Sequence, residues 1–196
     1  CASVFNIHAQ NEINGHEYVD LGLSVNWATC NVGADTPEDY GDYYSWGEIS
    51  TKTKYTFENS LTVGKNINDI RMNSKYDVAQ TKWGDRWRMP TKEEMTELVI
   101  KCNWTWTTQI EKGLFKNFET KVPGYKVTGP NGNSIFLPAA GYRDYSGLYG
   151  AGPNGRYWSS SPSTYDSDGA YVLYLGSDIP YWSCSDRYYG LSVRPV

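Results

Sequence analysis

The chain has 196 residues, a formal net charge of −4 and an isoelectric point near 5.2, and 15% of its residues are aromatic. This length fits one domain, in which aromatic rings must supply much of the core. The acidic balance without a basic cluster argues against a nucleic-acid partner, and no apolar run approaches the roughly 20 residues that a membrane-spanning helix needs.

The chain starts with Cys1, Ala2 and Ser3, and a sparse polar stretch follows. A mature N-terminal cysteine of this kind is typical of a bacterial lipoprotein whose signal peptide has been cleaved. We therefore predict that Cys1 carries a lipid and that residues 1–13 form a tether. The protein is then expected outside the cytoplasm, at the outer membrane or cell surface. A chance start of the chain at this residue is the alternative.

Short strands are predicted within residues 17–32, and an ordered polar loop over residues 50–73. Between them, residues 35–48 are acidic and aromatic. Carboxylates in this stretch could pair as they do in glycosidases, but clustering in one loop is more typical of a solvated turn.

The clearest predicted helix spans residues 91–102. Thr91 and Glu94 have the spacing of a capping box, in which each side chain covers an orphan backbone amide. Apolar residues then recur at helical spacing and predict one face that packs on the core. These residues are Met95, Leu98, Val99 and Cys102.

After the helix, an alternation of period two and turn-forming Gly, Pro and Asn residues predict an antiparallel region. The strand candidates are residues 124–128, 134–140, 156–161, 170–176, 181–185 and 191–196. A helix followed by many short strands predicts an α+β domain rather than a doubly wound sheet. Indole rings near the helix are expected in the core, whereas Trp182 has polar neighbours and is expected at the surface. The indole rings near the helix are those of Trp83, Trp87, Trp104 and Trp106.

The four cysteines lack the CxxC spacing of a zinc site. Cys30 and Cys102 either form a disulfide or remain buried thiols, and Cys184 is predicted to be free.

Catalytic chemistry is mostly missing from the sequence. The two histidines, His8 and His16, lie near the N-terminus, where an exposed side chain is the simpler interpretation. Residues 166–169 begin like a calcium loop but lack its further ligands, so a turn is predicted. Residues 147–152 are rich in glycine without the strand-to-helix context of a phosphate loop, which favours an aromatic-decorated loop. We predict no enzymatic activity, no cofactor and no metal.

The last 70 residues contain no Lys and no Glu, yet they hold 10 of the 17 tyrosines. Tyr supplies large, stiff contact area at small entropic cost, and Ser, Gly and Asp supply adaptable hydrogen bonds. This composition is typical of a recognition surface. The predicted ligand-binding residues are Tyr165, Asp168, Tyr174, Ser177, Asp178, Tyr181, Trp182, Ser183, Ser185, Asp186, Tyr188, Tyr189 and Leu191.

An ordered series of segments resembles the Fibrobacter succinogenes major paralogous domain family. The resemblance covers residues 14–196, and its segments are residues 14–34, 43–48, 87–91, 102–106, 134–143, 157–161 and 192–196. It implies a single C-type-lectin-like domain over residues 14–196, with a twisted antiparallel sheet, one clear helix and long ordered loops. It does not imply the activity of formylglycine-generating enzymes of that fold type, because no catalytic cysteine pair aligns.

The tail also resembles the variable region of diversity-generating retroelement target proteins, in which mutated Asn codons yield residues such as Tyr, Ser, Asp and Cys. Undiversified relatives can end in the same way. Fold alone does not fix function, so two functions remain open. One is an adhesin-like module that binds a protein or glycan on a surface. The alternative is a carbohydrate-binding module for polysaccharide capture, with Tyr181 and Trp182 stacking on sugar faces.

Overall fold

Antiparallel strands dominate the chain. The computed structural model describes residues 11–112, 119–176 and 178–196, and it describes side chains outside residues 109–121. Within these ranges, two helices accompany the strands, which confirms an α+β architecture rich in antiparallel sheet. The predicted lipidation site Cys1 and the predicted ligand contact Ser177 lie outside the described residues.

The described strands are two to ten residues long and form four antiparallel sheets. They are β1 (Glu12–Ile13), β2 (His16–Val19), β3 (Trp27–Ala28), β4 (Asn103–Lys112), β5 (Glu119–Thr128), β6 (Ser134–Pro138), β7 (Tyr142–Asp144), β8 (Gly147–Tyr149), β9 (Gly155–Pro162), β10 (Gly169–Leu175) and β11 (Tyr181–Asp186). The sheet orders are β1-β2-β3, β4-β5-β6, β7-β8 and β9-β10-β11. The helices are α1 (Val78–Trp83) and α2 (Lys92–Lys101).

Strand β1 corrects the predicted end of the N-terminal tether. Glu12 and Ile13 pair with β2, and the indole N–H of Trp87 donates to the carbonyl of Ile13 at 3.0 Å. The last two residues of the predicted tether therefore take part in the first sheet. On β2, His16 stacks on Trp83 with ring centroids 3.7 Å apart. Because His16 is half-buried there, its predicted exposure is wrong.

The capping box of α2 is confirmed. The Thr91 hydroxyl accepts from the Glu94 amide at 3.2 Å, and the Glu94 carboxylate accepts from the Thr91 amide at 2.8 Å. Met95 and Leu98 are buried, and Val99 and Cys102 pack at the edge of the same cluster. The helix begins and ends within one residue of the predicted bounds.

Helix α1 was not expected, because six residues are too short to show a helical period. Its N-terminus is fixed by Asp77, whose carboxylate is buried and accepts from the amides of Ala79 and Gln80 at 3.0 and 3.2 Å. The same carboxylate accepts from the amide of Met89, so it also joins α1 to the segment before α2. The sequence predicted one clear helix, and the structure contains this short helix in addition.

The central sheet β9-β10-β11 separates two apolar clusters. Because strand side chains alternate between faces, neighbouring residues of β9 and β10 enter opposite clusters. One cluster includes Tyr44, Trp46, Trp158, Val172, Leu191 and Val193. The other includes Leu21, Trp27, Met95, Leu98, Tyr157 and Leu173. The loop that joins β3 to α1 is thus part of the core, because it contributes Tyr44 and Trp46.

The predicted C-terminal strand at residues 191–196 is an irregular segment in the structure. Its backbone hydrogen-bonds in turn to Tyr44, Trp158, Val32, Ala28 and Arg88, which belong to separate parts of the chain. No single neighbouring strand accompanies it in the described residues, so alternation in the sequence gives a misleading signal there.

Arg194 fixes the end of this segment from inside the protein. Its side chain is 1% exposed and donates to the carbonyl oxygens of Ala28, Thr29 and Phe136 and to the Asn31 side chain.

The three cysteines that the structure describes are free. Cys30 and Cys102 are half-buried thiols rather than a disulfide, and Cys184 is free and exposed, as predicted.

Candidate functional site

Strand β11 forms an edge of the central sheet, and its side chains divide between two faces. Trp182 lies on the side covered by α2, where its ring meets Tyr171 edge-on at 5.7 Å. Tyr181 lies on the opposite side, where its ring meets Tyr174 of β10 at 5.1 Å. The two aromatic neighbours on β11 therefore cannot contact the same flat ligand.

A continuous row of rings covers the side opposite α2. We call it the tyrosine–arginine face, and its members are Tyr142, Tyr149, Arg156, Tyr174, Tyr181, Tyr188 and Tyr189. From Tyr181 the row passes through Tyr174 to the Arg156 guanidinium, which lies 5.8 Å from that ring and 4.0 Å from the ring of Tyr142. Tyr142 then meets the rings of Tyr149 at 5.8 Å and Tyr189 at 5.6 Å. The result is one surface built from β7, β8, β9, β10, β11 and the segment after β11.

At the end of the row formed by Tyr188 and Tyr189, the backbone hydrogen-bonds to the core. Tyr189 meets Tyr188 at 4.5 Å, and Tyr188 meets the exposed Phe57 at 6.4 Å. The Tyr188 carbonyl accepts from the Ser45 hydroxyl at 2.9 Å. The backbone thus holds this segment while its rings remain partly exposed.

Arg156 is the central cation of the face and has no carboxylate partner among the described residues. Its Nε atom is buried without a hydrogen-bond acceptor in the described part of the chain. An arginine stacked between tyrosine rings keeps its outer N–H donors free, and these suit a carboxylate or another planar acceptor.

The hydroxyl groups at the exposed end of the face are also free to act. The phenols of Tyr142, Tyr149, Tyr174 and Tyr181 have no hydrogen-bond partner in residues 11–112, 119–176 and 178–196. The rings of Tyr149 and Tyr181 are 50% and 52% exposed. The face therefore offers apolar ring area together with unused donors and acceptors.

Asp186 lies beside the other end of the face. Burial raises the pKa of its carboxyl group, and the negative charges of Asp166, Asp168 and Asp144 raise that pKa further. A hydrogen bond from Tyr188 opposes part of that rise, and burial raises the pKa of the Tyr188 phenol itself. Charge on the face is thus asymmetric, with a cation near Tyr174 and acidic groups near Tyr188.

On the side covered by α2, two aromatic rings already contact a lysine of the same chain. The Lys92 ammonium lies 4.0 Å from the ring centroids of both Tyr171 and Trp182. Trp182 is 42% exposed, as predicted, and Cys184 follows it on the same side. Neither side chain belongs to the tyrosine–arginine face.

The turn between β9 and β10 separates two further predicted contacts from the face. Tyr165 is 86% exposed there. The Asp168 carboxylate instead accepts from the amide of Gly64 at 2.6 Å, which gives it a structural role. Beneath this turn, Arg187 is 2% exposed and donates to the carbonyl oxygens of Gly169, Thr62 and Lys65.

Two predicted ligand contacts are wrong because their side chains are inside the protein. Leu191 is 0% exposed and packs with Tyr44 and Trp46, and Ser185 is 8% exposed. Ser183 lies half-buried on the side of Tyr181, and Asp178 is exposed in the turn between β10 and β11. The predicted residues therefore do not form one surface, although Tyr174, Tyr181, Tyr188 and Tyr189 do come together.

Tyr142, Tyr149 and Arg156 were missed in the sequence. They lie before Tyr165, where the predicted ligand-binding residues begin, and the glycine-rich stretch around residue 149 suggests a loop rather than the β7-β8 hairpin. Tyr142 and Tyr149 do face each other across that hairpin, but the pairing needs a register that no local pattern fixes.

Neither described helix has the length and apolar character to cross a bilayer. The described residues also contain no group of three or more His, Cys, Asp or Glu side chains that could hold a metal ion. The chain matches no protein-family model, no curated protein and no solved structure.

Proposed function

We propose that the protein is a recognition module whose tyrosine–arginine face binds a protein on another surface. The observation that carries this proposal is the continuous row of six tyrosines around Arg156, in which the guanidinium and four of the phenols have no hydrogen-bond partner within the described chain. Tyr and Arg are among the residues that contribute most binding energy at protein interfaces. A ligand would gain ring contacts and hydrogen bonds together.

The target would present a carboxylate to Arg156. A partner that left this guanidinium unpaired on burial would bear its desolvation cost, so a complementary acidic group is needed for tight binding. The acidic groups near Tyr188 would favour a basic or polar patch at the other end of the same partner.

We also propose the C-type-lectin-like fold and the diversified tail as the background of this function. The antiparallel sheets, the main helix α2 and the long ordered loop between β3 and α1 support that fold. Tyr181, Tyr188 and Tyr189 lie on the face and belong to the residue set that adenine mutation of Asn codons yields. A template repeat and a reverse transcriptase near the coding sequence would support the retroelement origin, and their absence from the replicon would oppose it.

A protein array and a glycan array, probed in parallel, test the function. The wild-type chain is compared with Arg156→Gln and with Tyr149→Ser/Tyr181→Ser. Loss of one such anchor should weaken binding to a protein target by about 2 kcal/mol or more. The matched control is Tyr165→Ser, which removes a more exposed tyrosine that lies off the face. Equal losses for Tyr165→Ser and the face variants would contradict the proposal.

Carbohydrate binding is the second candidate, and the glycan array separates it. Saturable binding to one sugar class, with no protein target, would favour it. Tyr181 and Trp182 lie on opposite sides of β11, so they cannot form a joint sugar platform. A sugar would have to stack on the tyrosines alone.

A further inference from the structure

A second aromatic site lies away from the tyrosine–arginine face. We call it the indole groove, and it is lined by Trp104, Trp106, Tyr125, Asp178, Ile179 and Pro180, with a volume of about 490 Å³. Trp104 and Trp106 lie two residues apart on β4 and therefore share one side of that strand. Trp106 was expected in the core, but its side chain is 37% exposed.

The rings of the groove form a corner. Tyr125 stands nearly perpendicular to both indoles, with centroids 4.9 Å from Trp106 and 5.5 Å from Trp104. Its phenol hydrogen-bonds to the carbonyl oxygens of Gly176, at 2.8 Å, and of Asp178. One side chain thus forms the floor of the groove and also fixes the turn that carries Asp178, which makes the groove a preformed shape.

The electrostatics of the groove favour a cation. Aromatic faces attract positive charge, and Asp178 adds a carboxylate at the rim with no ion-pair partner among the described residues. Burial raises the pKa of the Tyr125 phenol, and the negative charge of Asp178, which lines the same groove, raises that pKa further. No described lysine or arginine lies over either indole of the groove.

A second pair of perpendicular rings in this chain contacts a cation. Tyr171 and Trp182 also meet nearly perpendicularly, at 79°, and Lys92 lies 4.0 Å from both rings. Trp106 and Tyr125 meet at 82° in an equivalent corner. We propose that the indole groove binds a trimethylammonium group, from a small molecule such as choline or from a trimethylated lysine side chain. A methylated ammonium suits the site better than a bare one, because a bare ammonium is strongly hydrated.

Choline is the probe, and the indole N–H signals of the ¹⁵N-labelled protein are the readout. Choline should shift the Trp106 signal in a saturable manner, whereas its neutral isostere 3,3-dimethylbutanol should bind roughly tenfold more weakly, as expected for one cation–π contact. Asp178→Asn should weaken choline binding severalfold and leave the isostere unaffected. Trp106→Ala should abolish the choline-induced shift of the Trp104 signal. Trp182→Ala and Tyr181→Ser are the matched controls and should not alter it.

Several outcomes would overturn the proposal. Equal affinity for choline and its isostere would make the groove a merely apolar site. A response to cellobiose that Asp178→Asn leaves unchanged would make it a sugar platform. No shift of the Trp106 signal with either choline or an N-acetyl-trimethyllysine amide would remove the site altogether. If only one of these two cations binds, it identifies the source of the trimethylammonium group. None of these results depends on the tyrosine–arginine face.

Discussion

Removing the exposed tyrosines of the tyrosine–arginine face should abolish recognition at a modest cost in stability. Tyr181 is 52% exposed and Tyr149 is 50% exposed, so about half of each side chain is removed from water in the fold. Full burial of a large side chain contributes about 1.5–3 kcal/mol, and a ring contact adds about 0.5–1.5 kcal/mol. We therefore expect Tyr181→Ser or Tyr149→Ser to lower the free energy of unfolding by about 1–3 kcal/mol.

A buried tyrosine gives the matched comparison. Tyr157 is 1% exposed, and its phenol donates to the carbonyl of Pro138 at 2.6 Å. Tyr157→Ser should cost about 3–5 kcal/mol, as for other large buried rings. Urea unfolding followed by tryptophan fluorescence measures all three variants. If Tyr181→Ser costs as much as Tyr157→Ser, Tyr181 belongs to the core. If target binding survives the Tyr149→Ser/Tyr181→Ser variant, the face is not the site.

Three further predictions concern stability. Thr91→Ala should cost about 1 kcal/mol in urea unfolding, because the α2 cap is lost; an unchanged midpoint would contradict the capping geometry. Arg187→Met should cost about 3 kcal/mol or more, because three carbonyl oxygens lose a buried donor; a cost below about 1 kcal/mol, measured in the same way, would mean that water replaces the guanidinium. Burial lowers the pKa of His16, so the folded protein binds fewer protons than the unfolded chain. Stability from this group is then complete above the ordinary histidine pKa and is lost as the pH falls below it. The NMR titration of His16 should have a midpoint below that of a free histidine, and His16→Phe should flatten the acid-side loss in urea unfolding; a midpoint at or above the free value would refute this.

Local signals predicted the elements that local chemistry specifies. The capping box at Thr91 and the apolar spacing after it are both contained within a dozen residues, and α2 follows them closely. Helix α1 depends on Asp77, whose carboxylate also binds the distant amide of Met89. A short polar helix that is held by tertiary hydrogen bonds has no periodic pattern to detect.

In the candidate site, too, local sequence predicted some features, and others depend on tertiary contacts. Composition indicated a recognition surface in the tail, but it could not say which side chains share a face. Alternation along β11 separates Tyr181 from Trp182, and the rings that complete the row, Tyr142 and Tyr149, come from a hairpin earlier in the chain. Leu191 resembled a surface residue because its neighbours are Tyr and Ser, yet its backbone pairs with Tyr44 and directs its side chain inward.

The two buried arginines of the tail have a consequence for how the sequence can change. Arg187 and Arg194 both donate to backbone carbonyl oxygens, and every residue type supplies such an oxygen. Except for the bond from Arg194 to the Asn31 side chain, the hydrogen bonds of these two arginines therefore do not depend on the identity of the residues they contact. Under the proposed function, substitutions at positions such as 181, 188 and 189 would change the binding surface, while these backbone contacts would keep the path of the chain.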